Sequence, residues 1–415
     1  MTGPTPAVAP PTSDAARGRR SPTFVILFTV FVDLVGFGVI IPLLPFYATA
    51  VGGGAAILGL VVASFFLMQF VFSPIFGKLS DRIGRRPVIV GTLVMAVVAH
   101  LVLSVAASLP LLFLARLLAG TASGNLSVAQ AYVADTAPPE KRAKGMGLIG
   151  AAFGVGFIVG PVIGGVLAPF GLYVPALGAA AIALANLVLA AIYLPESLTP
   201  EGRAVAAARA RRPAGWAEAF RRPAMRSLLV AFFVVSFAFS AVPVMNPLLG
   251  IRRLGLGTGD LAIVFLFIGV ISISVGTSLG RLAARVGEEK LTAAGTAIMT
   301  AGIFATPAAW DFPSFIALNG VMAVGVALCL PLIPSLVSKR STPEEQGSML
   351  GVSQAFGALA RVPGPLVAGL LFEGLGFLAP FLVSGALMAL AFGLAASIYV
   401  QSRAAAPRVE VAADP

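Results

Sequence analysis

Long apolar stretches constrain the fold of this chain more than any other feature of its sequence. Twelve stretches of about 20 residues or more lie at roughly 22–47, 56–77, 87–107, 109–133, 146–169, 172–194, 227–250, 259–284, 290–309, 313–337, 348–372 and 376–400. A stretch of this length crosses a bilayer as a helix, because a helix satisfies its own backbone hydrogen bonds in lipid. The sequence therefore predicts an all-α membrane protein with twelve spans.

Composition excludes most other classes of protein. Of the 415 residues, 58% are hydrophobic and only 11% are charged, which is too apolar for a soluble domain. The single cysteine, Cys329, and the single histidine, His100, are too few for a disulfide framework, a Cys/His metal site or a Ser/His triad. We interpret Cys329 as a packing residue and His100 as a satisfied polar group. We expect neither an enzyme nor a bound cofactor.

The basic residues are distributed unevenly among the connections between spans. The net charge is +11, and most Lys and Arg residues fall in every second connection and in the tails, as is typical of cytoplasmic loops. Only Arg252 and Arg253 fall on the other side. This pattern predicts that both termini are cytoplasmic. It also explains the net positive charge without a nucleic-acid partner.

Two internal similarities divide the chain into halves. Gly77–Gly84 (GKLSDRIG) recurs as Gly280–Gly287 (GRLAARVG), and the span 5 segment that begins at Gly147 recurs at Gly351. Both matches occur at equivalent places in the order of spans, which indicates a parallel repeat of two six-helix bundles.

The resulting domain organisation has five parts. We predict a disordered tail over 1–21, one bundle over 22–198, a cytoplasmic linker over 199–226, a second bundle over 227–400 and a tail over 401–415. The first 21 residues have no apolar core, so they are not expected to be a signal peptide.

Several motifs carry a resemblance to a known family. They are Gly77–Pro87 (GKLSDRIGRRP), Leu114–Gly124 (LARLLAGTASG), Asp33–Tyr47 (DLVGFGVIIPLLPFY), Pro195–Ser197 (PES) and the glycine-rich span 5. Together they resemble the major facilitator superfamily, and in particular its twelve-helix drug/proton antiporters, such as the tetracycline and multidrug efflux transporters. The resemblance implies a central cavity between the halves, with proton-coupled export. It leaves the substrate open, because the acid of span 3 and the second-half histidine of the tetracycline transporters have no counterpart here.

One acidic residue lies deep within a span. Asp33 is about eleven residues into span 1, where a charge costs on the order of 2.5 to 3.5 kcal/mol. The basic residues inside spans are Arg116 and Arg361. We predict that Asp33 and Arg116 form the proton-coupling pair, since burial favours the protonated carboxyl and a guanidinium favours the ionised one. A purely structural ion pair between spans 1 and 4 is the alternative.

Span 5 carries glycines at helical spacing. Gly156, Gly160 and Gly164 share one face beside Pro161, so another helix can approach closely. The resemblance extends the motif to Gly147 and Gly165, and implies a surface that limits ion leak. Generic small-residue packing is the alternative.

Charged residues between spans 2 and 3 resemble a cytoplasmic gate. The gate residues are Gly77, Asp81, Arg82, Arg85 and Arg86, together with Asp135 and Arg142 near the end of span 4. The resemblance implies that Asp81 latches onto the N-terminal end of span 11. In the second half Ala284 replaces Asp81, and Glu288 and Glu289 replace Arg85 and Arg86, so a weaker or absent latch is expected there.

A substrate cavity can only be sketched from the polar residues within spans. These residues are Gln69, Asn125, Gln130, Asn246, Gln354 and Arg361. Few polar groups among many apolar ones suit a small amphipathic, drug-like compound. We predict a proton-coupled exporter that works as a monomer in a bacterial inner membrane. Its expected partners are the lipid bilayer and the substrate. A metabolite importer and a lipid flippase on the same fold are the alternatives.

Overall fold

The structure is a computed structural model that describes residues 22–136, 139–198, 216–342 and 345–405, and this part of the chain is helical. The helices are α1 (Pro22–Ile40), α2 (Leu44–Ala50), α3 (Ala55–Ile83), α4 (Arg85–Ser104), α5 (Leu109–Ala122), α6 (Asn125–Thr136), α7 (Pro139–Leu167), α8 (Tyr173–Tyr193), α9 (Trp216–Arg221), α10 (Pro223–Leu254), α11 (Thr258–Val286), α12 (Glu288–Ala305), α13 (Phe312–Lys339), α14 (Gln346–Ala360), α15 (Pro363–Leu375) and α16 (Leu378–Ala405). Short 3-10 turns follow α1, α7 and α12 at Ile41–Leu43, Ala168–Phe170 and Thr306–Ala308.

The helices confirm an integral membrane protein with many spans. Within the described residues, 11 helical segments are long and apolar enough to cross a membrane. Of α7, the segment Ile158–Phe170 is apolar but shorter. The tail over 1–21, most of the predicted linker and the last ten residues lie outside the described residues. The helix that contains predicted span 7 begins at Pro223.

Three predicted spans are interrupted rather than continuous. Span 1 breaks at Ile41–Leu43, span 4 breaks at Ser123–Gly124 and span 11 breaks just before Pro363. Prolines near the first and third breaks explain them, because proline has no N–H to donate and its ring clashes with the preceding turn. The breaks at spans 4 and 11 fall next to Asn125 and Arg361, which are both predicted site residues.

The glycine face of α7 packs against α1. A Cβ atom added to Gly160 would lie 2.6 Å from both the Gly38 Cα and the Val35 carbonyl oxygen. One added to Gly164 would lie 2.4 Å from the Val39 oxygen. The two backbones are therefore in direct contact, as small residues at a helix crossing allow.

The two halves meet from one end of the bundle to its middle, where a Cβ added to Gly269 of α11 would lie 2.1 Å from Ile158 of α7. We define the basic end by the connections near Arg85 and Glu288, and the opposite end by the connections Val51–Gly54 and Gly255–Gly257. At the opposite end α3 crosses α15: an added Cβ on Gly59 would lie 2.5 Å from the Pro365 oxygen.

A carboxylate also joins the halves at the opposite end. The Glu373 carboxylate accepts a hydrogen bond of 2.7 Å from the Ala56 backbone N–H, at the start of α3. Each ion pair among the described residues, by contrast, joins two residues of the same half. This conformation is therefore held closed at the opposite end.

Candidate functional site

Asp33 lies in the middle of α1 and is half-buried. Its carboxylate accepts a hydrogen bond of 2.6 Å from the side-chain amide of Asn125. Asn125 is the first residue of α6, so the break in span 4 presents its side chain to α1. The Asn186 side chain of α8 lies beside the same carboxylate. Three helices thus position one acid.

Arg116 does not pair directly with Asp33, which corrects the predicted ion pair. Its guanidinium lies over the Phe65 ring, 4.6 Å from the centroid, and no carboxylate oxygen of the described residues is within ion-pair distance of it. The reason is that Arg116 lies at a different depth along span 4 from Asn125. Arg116 precedes Asn125 by nine residues, or about 13 Å of helix. Since Asn125 is level with the Asp33 carboxylate, Arg116 cannot be.

Asp33 and Arg116 nevertheless line the same small cavity inside the first bundle. It has a volume of about 40 Å³, and His100, Phe37, Phe65 and Ser123 also line it. That volume holds a few water molecules, each needing about 10 to 15 Å³. It is far below the roughly 300 Å³ of a small-molecule site. The cavity can therefore hydrate Asp33 and Arg116 but cannot hold a drug-sized compound.

His100 is a site residue that the sequence did not identify. It is only 9% exposed, and its Nε2 atom would lie 3.2 Å from a Cβ added to Gly36 of α1. The structure gives it no hydrogen-bond partner among the described residues, and it lines the cavity with Asp33 and Arg116. A lone histidine within an apolar span was the available signal. Around this cavity a carboxyl and an imidazole can exchange a proton through water, while the guanidinium supplies a fixed positive charge.

A second polar cluster lies at the basic end. The buried Arg85 guanidinium bonds to Asp81 at 2.7 Å and to Asp135 at 3.0 Å, and it donates to the Ser80 hydroxyl at 2.6 Å. In this conformation Asp81 therefore bonds within its own half, and among the described residues at the start of span 11 it has no partner of the kind that the resemblance implied. The cation with which Asp81 pairs is Arg85, which follows it by four residues at the start of α4.

Glu196 completes this cluster, although the sequence showed only its PES motif. Its carboxylate accepts from the backbone N–H groups of Arg85 at 2.8 Å and Arg86 at 3.2 Å. It thereby caps α4, whose preceding residue is Gly84 with a φ of +105°. Only glycine fits easily there, because a Cβ would also lie 2.3 Å from the Glu196 carboxylate.

The other predicted gate residues are placed as follows. Arg82 is exposed, Gly77 is half-buried, and Arg86 donates to the Ala191 oxygen at 2.6 Å. Of Arg142 and Gly147 the structure describes only the backbone of α7, so their predicted contacts lie outside the described residues.

At the basic end of the second half, the acids that take the places of Arg85 and Arg86 form ion pairs of their own. Glu288 pairs with Lys339 at 2.9 Å and accepts from the Ser335 hydroxyl at 2.9 Å. Glu289 approaches Arg340 at 3.7 Å. Charge replacement at these positions has reversed the ion pairs and has not removed them.

The predicted cavity residues fall into different surroundings. Gln69 and Arg361 are half-buried, and Gln130 and Gln354 are exposed. Asn246 is 4% exposed and donates to the Asn319 oxygen at 2.5 Å. Because that pair is buried between α10 and α13, Asn246 has no surface to offer a substrate in this conformation.

Comparison with known proteins gives consistent matches along the chain. The family model described as Major Facilitator Superfamily matches residues 26–305 and 278–414. The tetracycline resistance protein, class C, of Escherichia coli is 31% identical over 354 residues, which cover 83% of this chain and 87% of that protein. The multidrug resistance protein 2 of Bacillus subtilis is 28% identical over 383 residues, covering 89% and 93%.

A solved structure also matches. The crystal structure of the human organic anion transporter MFSD10 superposes with a TM-score of 0.69 at 25% identity, and the match covers 91% of this chain and 99% of that one. The likeness therefore extends over the whole helical bundle.

Proposed function

The chain belongs to the major facilitator superfamily, and from this premise we propose that it exports a small amphipathic, drug-like compound in exchange for protons by alternating access. Drug-resistance relatives that match over most of their length support the substrate class. The Asp33 site supports proton coupling, because it places an ionisable group within a span where a charge is expensive.

The proposal includes a topology. Counting α7 gives twelve spans in two parallel bundles, and the basic end faces the cytoplasm with both chain termini. The protein then resides in a bacterial inner membrane as a monomer, with the bilayer and the transported compound as its partners. The proton is the coupling ion, and no other cofactor is required.

The single observation that carries the mechanism is the surroundings of Asp33. A neutral amide donor, Asn125, holds the carboxylate, while the adjoining cavity supplies water and is shared with Arg116 and His100. Water entering from one side or the other decides where the proton is released. The membrane potential drives each inward proton with roughly 2.3 kcal/mol per 100 mV. The compound itself binds outside this cavity, between the halves, because 40 Å³ cannot contain it.

The test is transport in vesicles after substitution of Asp33→Asn. The variant keeps the Asn125 contact as an amide pair but cannot carry a proton. We expect folded, inserted protein in which a pH gradient no longer drives export of an amphipathic dye. The control is Asp260→Asn, which removes an acid at the opposite end and should leave gradient-driven export at the wild-type rate. Gradient-driven export by Asp33→Asn would refute proton coupling through this residue.

Direction is tested in living cells. In a host without efflux pumps, an exporter raises resistance to a panel of amphipathic compounds, and a protonophore removes that resistance. An importer of metabolites raises uptake instead, and a flippase moves a labelled lipid in the same vesicles. Either result would replace the proposed function.

A further inference from the structure

Arg361 lies on the inward face of the helical column formed by α14 and α15. On the same face, a Cβ added to Gly357 would meet the Phe232 ring at 2.4 Å, and one added to Gly364 would meet the Ser240 hydroxyl at 2.2 Å. Both partners belong to α10. Because residues three and four apart on a helix are neighbours, Arg361 also points toward the interior of the protein and away from lipid.

The position of Arg361 is just inside the closed seam between the halves. Pro365, one turn toward the opposite end, touches Gly59 of the first half. Gln354, two turns toward the basic end on the same face, is exposed. Arg361 therefore lies between the closed contact at Pro365 and the exposed Gln354, next to Gly357, which packs on the Phe232 ring.

The Arg361 guanidinium has no partner within the described part of the chain. It makes no ion pair, hydrogen bond or ring contact there. Its nitrogen atoms are not sealed off either, because the buried unpartnered atoms include the Arg116 Nε but none of Arg361. A guanidinium has five N–H donors, so an open face of this side chain can bind an incoming acceptor.

Arg361 also has no acid of its own half to balance it. The nearest carboxyl group along its column is Glu373, which is twelve residues or about 18 Å away. That carboxylate is engaged with the Ala56 N–H. Arg116 differs, because it shares its cavity with Asp33. A charge in a span is expected to face a cavity and to find a partner.

We propose that Arg361 binds an acidic group of the transported compound. This inference rests on the proposed transport function and narrows its substrate class to amphipathic compounds that carry a carboxylate or a similar planar anion. Arginine suits such a group because its planar fork matches two carboxylate oxygens at once. The apolar remainder of the compound would lie toward Gln354.

The proposal has an electrical consequence. Export of a monoanion moves one negative charge outward while a proton moves one positive charge inward, so two charges cross in the same electrical sense per cycle. When a neutral analogue is exported, only the charge of the proton crosses. An interior-negative potential should therefore accelerate export of the acid more than export of its neutral analogue.

Binding is the direct test, with a dansyl-labelled undecanoic acid and its carboxamide as a matched pair of probes. With full-length protein in nanodiscs, we expect the wild type to bind the acid at least tenfold more tightly than the amide. Arg361→Gln should bind both probes equally. Arg361→Lys should recover part of the preference, as a point charge without the bidentate fork. The control is Arg252→Gln, which removes a guanidinium stacked on Phe372 at 5.1 Å and should keep the full preference.

The outcomes separate this inference from the transport function. Equal binding of acid and amide by the wild type, or a tenfold preference that persists in Arg361→Gln, would overturn the role of Arg361. Asp33-dependent exchange of protons for a neutral dye in the same preparation would show that the transport function survives that result. If the dye exchange also fails, the proposed function fails with it. Monodisperse elution of each variant in nanodiscs is the check that it is folded.

Discussion

The basic ends of the two halves use the same frame with opposite charges. The repeat in the sequence aligns Arg85 with Glu288, and the later offset of 204 residues, from Gly147 to Gly351, aligns Asp135 with Lys339. In the structure Arg85 pairs with Asp135 at 3.0 Å in the first half. The aligned residues Glu288 and Lys339 pair at 2.9 Å in the second half. The geometry of pairing is therefore common to both halves, while the signs of the charges are exchanged.

Burial makes these two ion pairs unequal. The Arg85 side chain is 6% exposed, whereas the Lys339 side chain is 65% exposed. Removing one partner of a buried pair leaves an uncompensated charge, whereas an exposed pair contributes little because water replaces it. The first half thus depends on its cluster more than the second half does.

The middle of the two bundles differs in a similar way. The offset of 204 residues aligns Gly156, Gly160 and Gly164 with Ala360, Gly364 and Ala368. The first half therefore has two fewer methyl groups at this helix crossing, and it also carries the Asp33 site. The close backbone contact and the proposed proton site occur in the same bundle, which makes that bundle the more sensitive to substitution.

The largest effect on transport should come from Gly160→Leu. The new side chain would begin 2.6 Å from the Gly38 Cα, so α1 and α7 must separate and Asp33 must move with α1. Overpacking of this kind costs about 1 to 3 kcal/mol and sometimes more. We expect complete loss of proton-driven export, measured in vesicles, together with a lower melting temperature.

The matched control is Gly351→Leu, at an exposed position of the second half where an added Cβ meets nothing within 4 Å. It should export normally. A proton leak through Gly160→Leu, measured with a pH-sensitive dye, would support the leak-limiting role of this face, while tight vesicles would support packing alone. Normal export by Gly160→Leu would contradict the importance of the crossing.

An intermediate effect is expected from Arg85→Ala. The substitution leaves Asp81 and Asp135 without their cation, and the loss should be on the order of 3 kcal/mol because both carboxylates keep some hydration. Lys339→Ala should cost at most about 1 kcal/mol, since that pair is exposed. Thermal melts of the purified variants would measure both.

The comparison is sharpened by exchanging charges within a pair. The double variant Arg85→Glu with Asp135→Lys gives the first half the polarity of the second, but it leaves Asp81 and Glu196 facing a new acid. We expect it to remain destabilised, whereas Glu288→Arg with Lys339→Asp should melt close to the wild type. Equal melting of the two double variants would show that burial does not distinguish the halves.

Much of the fold could be predicted from the sequence, because long apolar stretches in a membrane leave the backbone few alternatives to helices. The lone acid in span 1 likewise pointed to the Asp33 site. The sequence could not show how deep each side chain lies along its span or in which direction it points. Asn125, and not Arg116, is level with Asp33, and His100 joins the cavity, because the break at Ser123–Gly124 sets positions that no spacing rule encodes.

The basic end illustrates a second limit. Replacement of Arg85 by Glu288 looks like the loss of a latch when one position is considered alone. The compensating exchange of Asp135 for Lys339 lies about 50 residues away in each half, and only the structure brings the two into contact. Pairing between distant residues is therefore where a single sequence is least informative.

The smallest effect should come from Glu373→Ala, at the contact that joins the two halves. The N-cap residue of α3 is Gly54, which has no side chain to cap the helix, so Glu373 of the other half supplies the acceptor. Loss of a cap typically costs about 1 kcal/mol, which corresponds to roughly a fivefold change in an equilibrium. Because this cap exists only while the opposite end is closed, its loss should increase the population of the state open at that end. Distances between spin labels at Ala107→Cys and Trp310→Cys, measured by double electron–electron resonance, would report that population.

The control for this prediction is Asp260→Ala, which removes a cap that acts within one half. Asp260 accepts from the Gly257 N–H at 2.9 Å, at the start of α11, and both residues move together when the halves rock. Its loss should lower the melting temperature slightly without changing the distance distribution. A similar shift in both variants would mean that any weakened helix end opens the transporter. A shift in Glu373→Ala alone would instead identify this carboxylate as a contact by which the second half holds the first closed.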